Sequence, residues 1–325
     1  MLMNSIILII ALSIIFSGVP LSYSQSIAYF PPPMKQIQDG VFPSSITCTE
    51  GLELIFKLSN GNPACVKPSS VAILLERGWG AHSLPDVAPD AIQNSDETKY
   101  GEYKVTTSMV NYDEYLGFLA KPTSSESFPG VIVIHEWWGL NENIKETAEK
   151  LASHGYVVLA VDLFDGSVAT SAQTAMAQVS AFDQEKAIMN MNSAVEYLKL
   201  SNDAQMVGSI GWCFGGAQSL NLALINPEMD ATVIYYGKLV TASETLSALS
   251  APVLGIFGEL DQGIPPSVVN EFENTLDSLE IQNEIYIYPN VDHAFANPTG
   301  ERYAPEEADD AWEKTLEFLE SNLKG

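Results

Sequence analysis

From about residue 100 the chain alternates between short, continuous apolar runs and longer segments whose apolar residues recur every three or four positions. The first pattern suits strands covered on both faces, and the second suits amphipathic helices. Residues 131–134, 156–163, 232–236, 252–257 and 284–288 read as strands. Residues 141–153 carry Ile144, Ala148 and Leu151 on one stripe and stop at Gly155, which predicts a helix. Residues 170–200 read as helix broken once near Phe182-Asp183, with core methionines; 218–225, 267–279 and about 306–323 complete the helices. Ahead of them, 104–110 and 115–121 flank a short turn and read as an antiparallel opening pair. The βαβα order predicts an α/β fold, a mostly parallel sheet with helices on both faces, over residues 100–325.

Residues 26–95 have a different texture and read as a small accessory module plus linker. Pro31-Pro32-Pro33 is a stiff, extended entry. A strand-like stretch over 51–57, an Asn60-Gly61 turn and Cys65-Val66 read as a hairpin, followed by a short helix over 69–77. Residues 88–98 read as the linker. Residues 1–24 hold no charge, a compact apolar run over 5–16 and small residues at Ser22 and Ser24. They read as a signal peptide, giving a secreted or cell-surface protein; an uncleaved anchor is the alternative.

Charge narrows the partners. Lys and Arg number 15 against 41 Asp and Glu, a formal net charge of −26. Nucleic acid and anionic membrane surfaces are poor partners for such a chain, which leaves a small-molecule substrate. The three cysteines divide unevenly. Cys48 and Cys65 are placed to close one loop as a disulfide, so Cys213 is left over, and a leftover cysteine in an exported chain suggests a reactive thiol. Zinc-type spacings are absent from the sequence, and no metal or cofactor is expected.

The same cysteine stands in the stretch over 206–216, a short apolar strand, a glycine-pinched turn and a helix start. Its Gly211-Trp212-Cys213-Phe214-Gly215 spacing is that of a nucleophile elbow with cysteine in place of serine. A nucleophile needs a base and a group to orient it. Of four histidines, His82 lies in the module, His135 ends a strand beside Glu136, and His154 ends a helix. His293 follows the last strand, at the carboxyl edge where α/β sheets build sites, and is the preferred base. Asp261, just past the 252–257 strand, is the preferred orienting acid; Glu259 competes, and Asp292 reads as a turn residue. The backbone N–H groups of Trp137 and Phe214 are the oxyanion-hole candidates. Glu136 reads either as a carboxylate at the bottom of an aromatic pocket or as a cap on the helix starting near Asn141.

With these pieces in view, residues 100–325 resemble the dienelactone hydrolase (carboxymethylenebutenolidase) family of α/β-hydrolases. The resemblance rests on Gly211 to Gly216, His135-Glu136, Asp162-Leu163-Phe164, Gly258-Glu259-Leu260-Asp261 and His293 to Asn297. It implies an α/β-hydrolase fold, a Cys213–His293–Asp261 triad, and Glu136 as the carboxylate that holds the thiol and takes its proton. Two family arginines that grip a substrate carboxylate are replaced here by Gly166 and Asn297; Arg302 and Lys238 are candidate substitutes. The N-terminal part resembles a short cysteine-pair module of secreted archaeal proteins, which implies a surface partner. The expectation is a secreted hydrolase of small esters or lactones working through an acyl-thioenzyme. An acyltransferase with the same triad, and a catalytically silent binding exoprotein, are the alternatives.

Overall fold

The computed structural model describes residues 30–31, 33–38, 46–57, 63–77, 80–82 and 100–325. The expected signal peptide, the Asn60-Gly61 turn and the linker lie outside these described residues. The chain divides into two compact units, Met1–Asp86 and Val87–Gly325.

In the first unit, α1 (Pro33–Gln38) precedes β1 (Glu53–Lys57), β2 (Pro63–Val66), α2 (Pro68–Glu76) and β3 (Gly80–Ala81). The three strands form a sheet in the order β2-β1-β3, and the β1–β2 pair is antiparallel, as a hairpin requires. A disulfide joins Cys48 to Cys65, and Ile55, Phe56 and Val71 are buried. The stiff entry expected at Pro31–Pro33 turns into α1 at Pro33, because proline's fixed φ suits a first helical turn. The Gln36 side chain secures that turn: its amide donates to the Pro31 and Thr47 carbonyls and accepts from the Thr47 N–H.

The second unit opens with β4 (Val105–Tyr112), β5 (Tyr115–Pro122), β6 (Gly130–Ile134), α3 (Glu142–Ser153) and β7 (Val157–Val161). It continues through α4 (Ala172–Ser180), α5 (Gln184–Ser201), β8 (Val207–Trp212), α6 (Phe214–Ile225) and β9 (Ala231–Tyr235). It closes with α7 (Ser243–Leu246), β10 (Val253–Gly258), α8 (Pro266–Ser278), β11 (Asn283–Tyr288) and α9 (Pro305–Leu323). The sheet order is β4-β5-β7-β6-β8-β9-β10-β11, with β5 antiparallel to its neighbours and the strands from β7 to β11 parallel.

Alternation along β6 sets the two faces. Val131 and Val133 pack with Ile144 and Leu151 of α3 and Phe318 and Leu319 of α9. Ile132 and Ile134 pack with Met191 and Leu198 of α5 and Leu222 of α6. Helix boundaries follow capping chemistry: Asn141 accepts the Ile144 N–H at the start of α3, and Asp183 accepts two N–H groups at the start of α5, at the predicted break. Only α6 begins well before its apolar periodicity, at Phe214 rather than 218. Gly215 and Gly216 are poor helix formers and mask that start.

Candidate active site

Every candidate residue leaves the sheet from a carboxyl end of a strand. β6 ends into His135 and Glu136, β8 into Cys213, β9 into Tyr236, β10 into Asp261 and β11 into His293. Parallel pairing aligns these ends, with Ile134 opposite Gly211 and Trp212 opposite Tyr235.

The turn at Cys213 is as tight as the sequence implies. Cys213 has φ 54° and ψ −112°, a conformation a side-chain-bearing residue adopts only when its surroundings impose it. Its N–H donates to the Tyr235 carbonyl at 2.9 Å, and its own carbonyl accepts the Ala217 N–H as α6 begins. A Cβ at Gly211 would lie 2.1 Å from the Gly215 carbonyl oxygen, and one at Gly215 would lie 2.2 Å from that of Ile134. Strand and helix therefore approach too closely for any side chain there. Phe214 opens α6, so its N–H is one of those a helix leaves without an intrahelical acceptor. Trp137 lies in the turn after β6, with its ring 5.0 Å from that of Trp138.

His293, Asp261 and Cys213 meet. His293 Nδ1 lies 2.7 Å from Asp261 Oδ2, and the Cys213 side chain lies near enough to act on the same imidazole. The other oxygen of Asp261 accepts the N–H groups of Gly263 and Ile264, which fixes the carboxylate. Burial opposes a charge on His293, but the hydrogen bonds and charges of Asp261 and Cys213 outweigh it and raise its pKa to about 10. Asp261 is held below the usual carboxylate value: burial works against its charge, and the bonds to His293, Ile264 and Gly263 prevail. Glu259 instead accepts the Asn290 N–H. Asp292 accepts the His293 N–H and pairs with Arg302, so that arginine is already engaged.

Glu136 is only 4% exposed, and it does not cap α3, where Asn141 holds that role. Its Oε2 accepts the Asn297 side-chain N–H at 2.6 Å. Burial pushes its pKa up to about 7, partly offset by the charge of His293 and the bond from Asn297. Asn297 thus serves a carboxylate from the position where the resemblance leads one to expect an arginine.

Sequence reading assigned no role to His135, yet it ties two loops together. Its Nε2 accepts the Leu163 N–H at 3.0 Å, so Nδ1 carries the proton and donates to the Glu136 carbonyl at 2.6 Å. Burial lowers its pKa to about 4, which keeps the ring neutral. The ring also stacks on Phe214 and packs against Phe164, and Phe182 closes the aromatic cluster. Tyr236 was missed as well: its ring lies 5.1 Å from that of His293.

Known proteins resemble the chain in sequence and in fold. The model of the dienelactone hydrolase family matches residues 116–323. A protein of Saccharolobus solfataricus named "Putative carboxymethylenebutenolidase" is 32% identical over 251 residues, covering 62% of this chain and 92% of its own. One of the same name from Methylorubrum extorquens is 30% identical over 218 residues, covering 62% and 75%. The crystal structure of a "Putative Dienelactone Hydrolase" from Klebsiella pneumoniae superposes with a TM-score of 0.62 at 26% identity, covering 66% of this chain and 98% of that one. With the family match spanning more than half of its length, the chain belongs to the dienelactone hydrolase family.

Proposed function

We propose that the protein hydrolyses small, uncharged carboxylic esters or lactones through a covalent thioester on Cys213. The observation that carries this reading is Cys213, on a strained turn at the sheet's carboxyl edge, beside a His293 imidazole that is hydrogen-bonded to Asp261. With the thiol proton held on His293, a sulfur lone pair attacks the carbonyl carbon. The oxyanion that forms is within the province of the Phe214 and Trp137 N–H groups. The carbon–oxygen bond to the leaving group breaks, and the imidazolium protonates the departing alkoxide. A water that gives its proton to His293 then adds to the thioester, and the carbon–sulfur bond breaks to release the acid. For a lactone the leaving oxygen stays tethered, so one hydroxy acid is released.

The restriction to uncharged acyl groups follows from the cations near the site. Gly166 offers no side chain, Asn297 is neutral and engaged by Glu136, Arg302 is paired with Asp292, and Lys186 is paired with Asp165. Lys238, exposed just after β9, is the one candidate without an ion-pair partner among the described residues, so a substrate carboxylate finds at most this single solvated cation in place of the family's two arginines. Export also belongs to the proposal. The Cys48–Cys65 disulfide supports an oxidising compartment, in keeping with a secreted or cell-surface protein whose residues 1–24 act as signal peptide. The hydrolase reading is tested with p-nitrophenyl acetate and simple lactones on the wild type and Cys213→Ala. Turnover should fall at least about a thousandfold, in the manner of other nucleophile deletions, with a mass adduct on Cys213 trapped in the wild type. Equal turnover of the two proteins would overturn the reading.

A further inference from the structure

His135 stands behind both backbone donors assigned to the oxyanion. The residue is fully buried, and both nitrogens of its ring are taken. The Leu163 N–H can only donate, so Nε2 accepts and Nδ1 carries the proton that goes to the Glu136 carbonyl. No ring nitrogen is left to act on a reacting group, so His135 is neither nucleophile nor acid nor base.

The carbonyl that it holds belongs to the peptide unit whose N–H is that of Trp137. No peptide bond among the described residues is cis, so this carbonyl and N–H point to opposite sides of one plane. Holding the carbonyl oxygen 2.6 Å from Nδ1 thus sets the direction of the N–H. The Gly139 N–H also reaches that oxygen, at 3.2 Å, from within the same turn. His135 supplies the shorter bond and is itself anchored outside the turn, through Nε2, to the loop after β7. The Trp137 N–H has no backbone acceptor of its own among the described residues. The second donor is reached by packing. A Cβ at Gly215 would lie 2.6 Å from the His135 carbonyl oxygen, and the imidazole stacks on the Phe214 ring with centroids 6.0 Å apart and planes 15° from parallel. The start of α6, which carries the Phe214 N–H, rests on the same residue.

Given the hydrolase reading, on which this rests, we propose that His135 is a positioning residue for the oxyanion hole, holding the Glu136–Trp137 peptide so that its N–H faces the substrate oxygen as charge develops there. The hydrogen bonds run in one direction, from the Leu163 N–H through the imidazole and the Glu136 carbonyl to the Trp137 N–H and the oxyanion. Negative charge on the substrate oxygen polarises that peptide and strengthens the bond from Nδ1. The support grows in the transition state, so it raises kcat rather than lowering KM.

The test compares His135→Asn, whose amide nitrogen takes the place of Nδ1, with His135→Gln, whose amide oxygen takes the place of Nε2. The first keeps a donor for the Glu136 carbonyl, and the second keeps only the acceptor for Leu163. On p-nitrophenyl acetate, kcat of His135→Gln should fall about ten- to a hundredfold with KM within about threefold, a smaller loss than deleting an oxyanion donor outright. His135→Asn should remain at least about fivefold faster than His135→Gln, the worth of one hydrogen bond. Alkylation of Cys213 by iodoacetamide forms no oxyanion, so its rate should stay within about twofold of wild type in both variants. A His135→Gln as fast as His135→Asn overturns the proposal, since His135 would then merely join two loops. A parallel fall in alkylation also overturns it, because the effect would then lie at the thiol. A wild type no faster than Cys213→Ala fails the hydrolase reading itself, and the proposal with it. Should circular dichroism show both variants misfolded, the wild type decides. A trifluoromethyl ketone takes the Cys213 sulfur at its carbonyl carbon and leaves the electron pair on its oxygen, and the Nδ1 proton signal of His135 should then move downfield. A signal that stays in place while fluorine NMR shows the adduct overturns the proposal.

Discussion

Replacing Glu136 by glutamine should stabilise the fold at alkaline pH, and the size of the effect follows from burial. The folded carboxyl is raised from 4.5 to about 7, with burial the dominant cause. Between those values the unfolded chain has lost this proton and the folded chain keeps it. The folded state thus binds more protons, and stability falls as pH rises through the window. The difference of about 2.5 units, at about 1.4 kcal/mol each, removes about 3 kcal/mol between pH 4 and pH 8. Glutamine has no proton to lose, and its carbonyl can still accept from Asn297. Wild type and Glu136→Gln should therefore unfold at similar urea concentrations near pH 4.5 and diverge by about 3 kcal/mol at pH 8, the variant being more stable. His293 adds its own dependence, a contribution lost as pH rises from 6.5 towards about 10, but it enters both proteins and largely cancels in the difference. A gap that does not widen with pH, or a variant less stable at pH 8, would refute the assignment of a buried, proton-holding carboxyl.

Three further outcomes follow from the same geometry. Asp261→Asn removes the charge beside Nδ1, so the His293 ring, followed by NMR titration, should lose its proton about two units lower; an unchanged midpoint would separate Asp261 from the imidazole. Gly211→Ala drives a Cβ into the Gly215 carbonyl, with rigid backbone on both sides, and should cost roughly 3 kcal/mol or more in thermal unfolding; a variant that melts like the wild type would mean the elbow is looser than described. The product acid should inhibit turnover only weakly, and more strongly at 0.5 M salt than at 0.02 M, because salt screens its repulsion by the acidic protein; inhibition that is strong at low salt and relieved by added salt would reverse the sign of that argument.

Much of this site is local in sequence, and that part was legible. Strands buried on both faces read as continuous apolar runs, and 131–134 differs from β6 by one residue. The elbow announces itself through Gly211, whose Cβ would strike the Gly215 carbonyl, a constraint contained within Gly211 to Gly215. What escaped was long-range or masked. Glu136 and Asn297 are 161 positions apart, so nothing near either residue signals their bond. The role of His135 depends on the Leu163 N–H, 28 positions on, and is visible only once β6 and β7 pair in register. The strand β3 has two residues and pairs with the end of β1, too short for any periodicity to register.

The charges also give the reaction a direction. A neutral ester approaches a protein of net charge −26 without electrostatic resistance, whereas a carboxylate approaches against the field. Inside, the His293 imidazolium is positive, and it is already hydrogen-bonded to Asp261. Hydrolysis converts the neutral ligand into an anion at that place. With Gly166 and Asn297 where arginines would hold it, the new carboxylate is bound by little and repelled by Asp261 and by the surface as a whole. An arginine at 297 would grip a carboxylate before and after cleavage alike, so it would strengthen product binding together with substrate binding. Asparagine there gives up that hold on substrate and product together, in keeping with the neutral esters and lactones proposed as substrates.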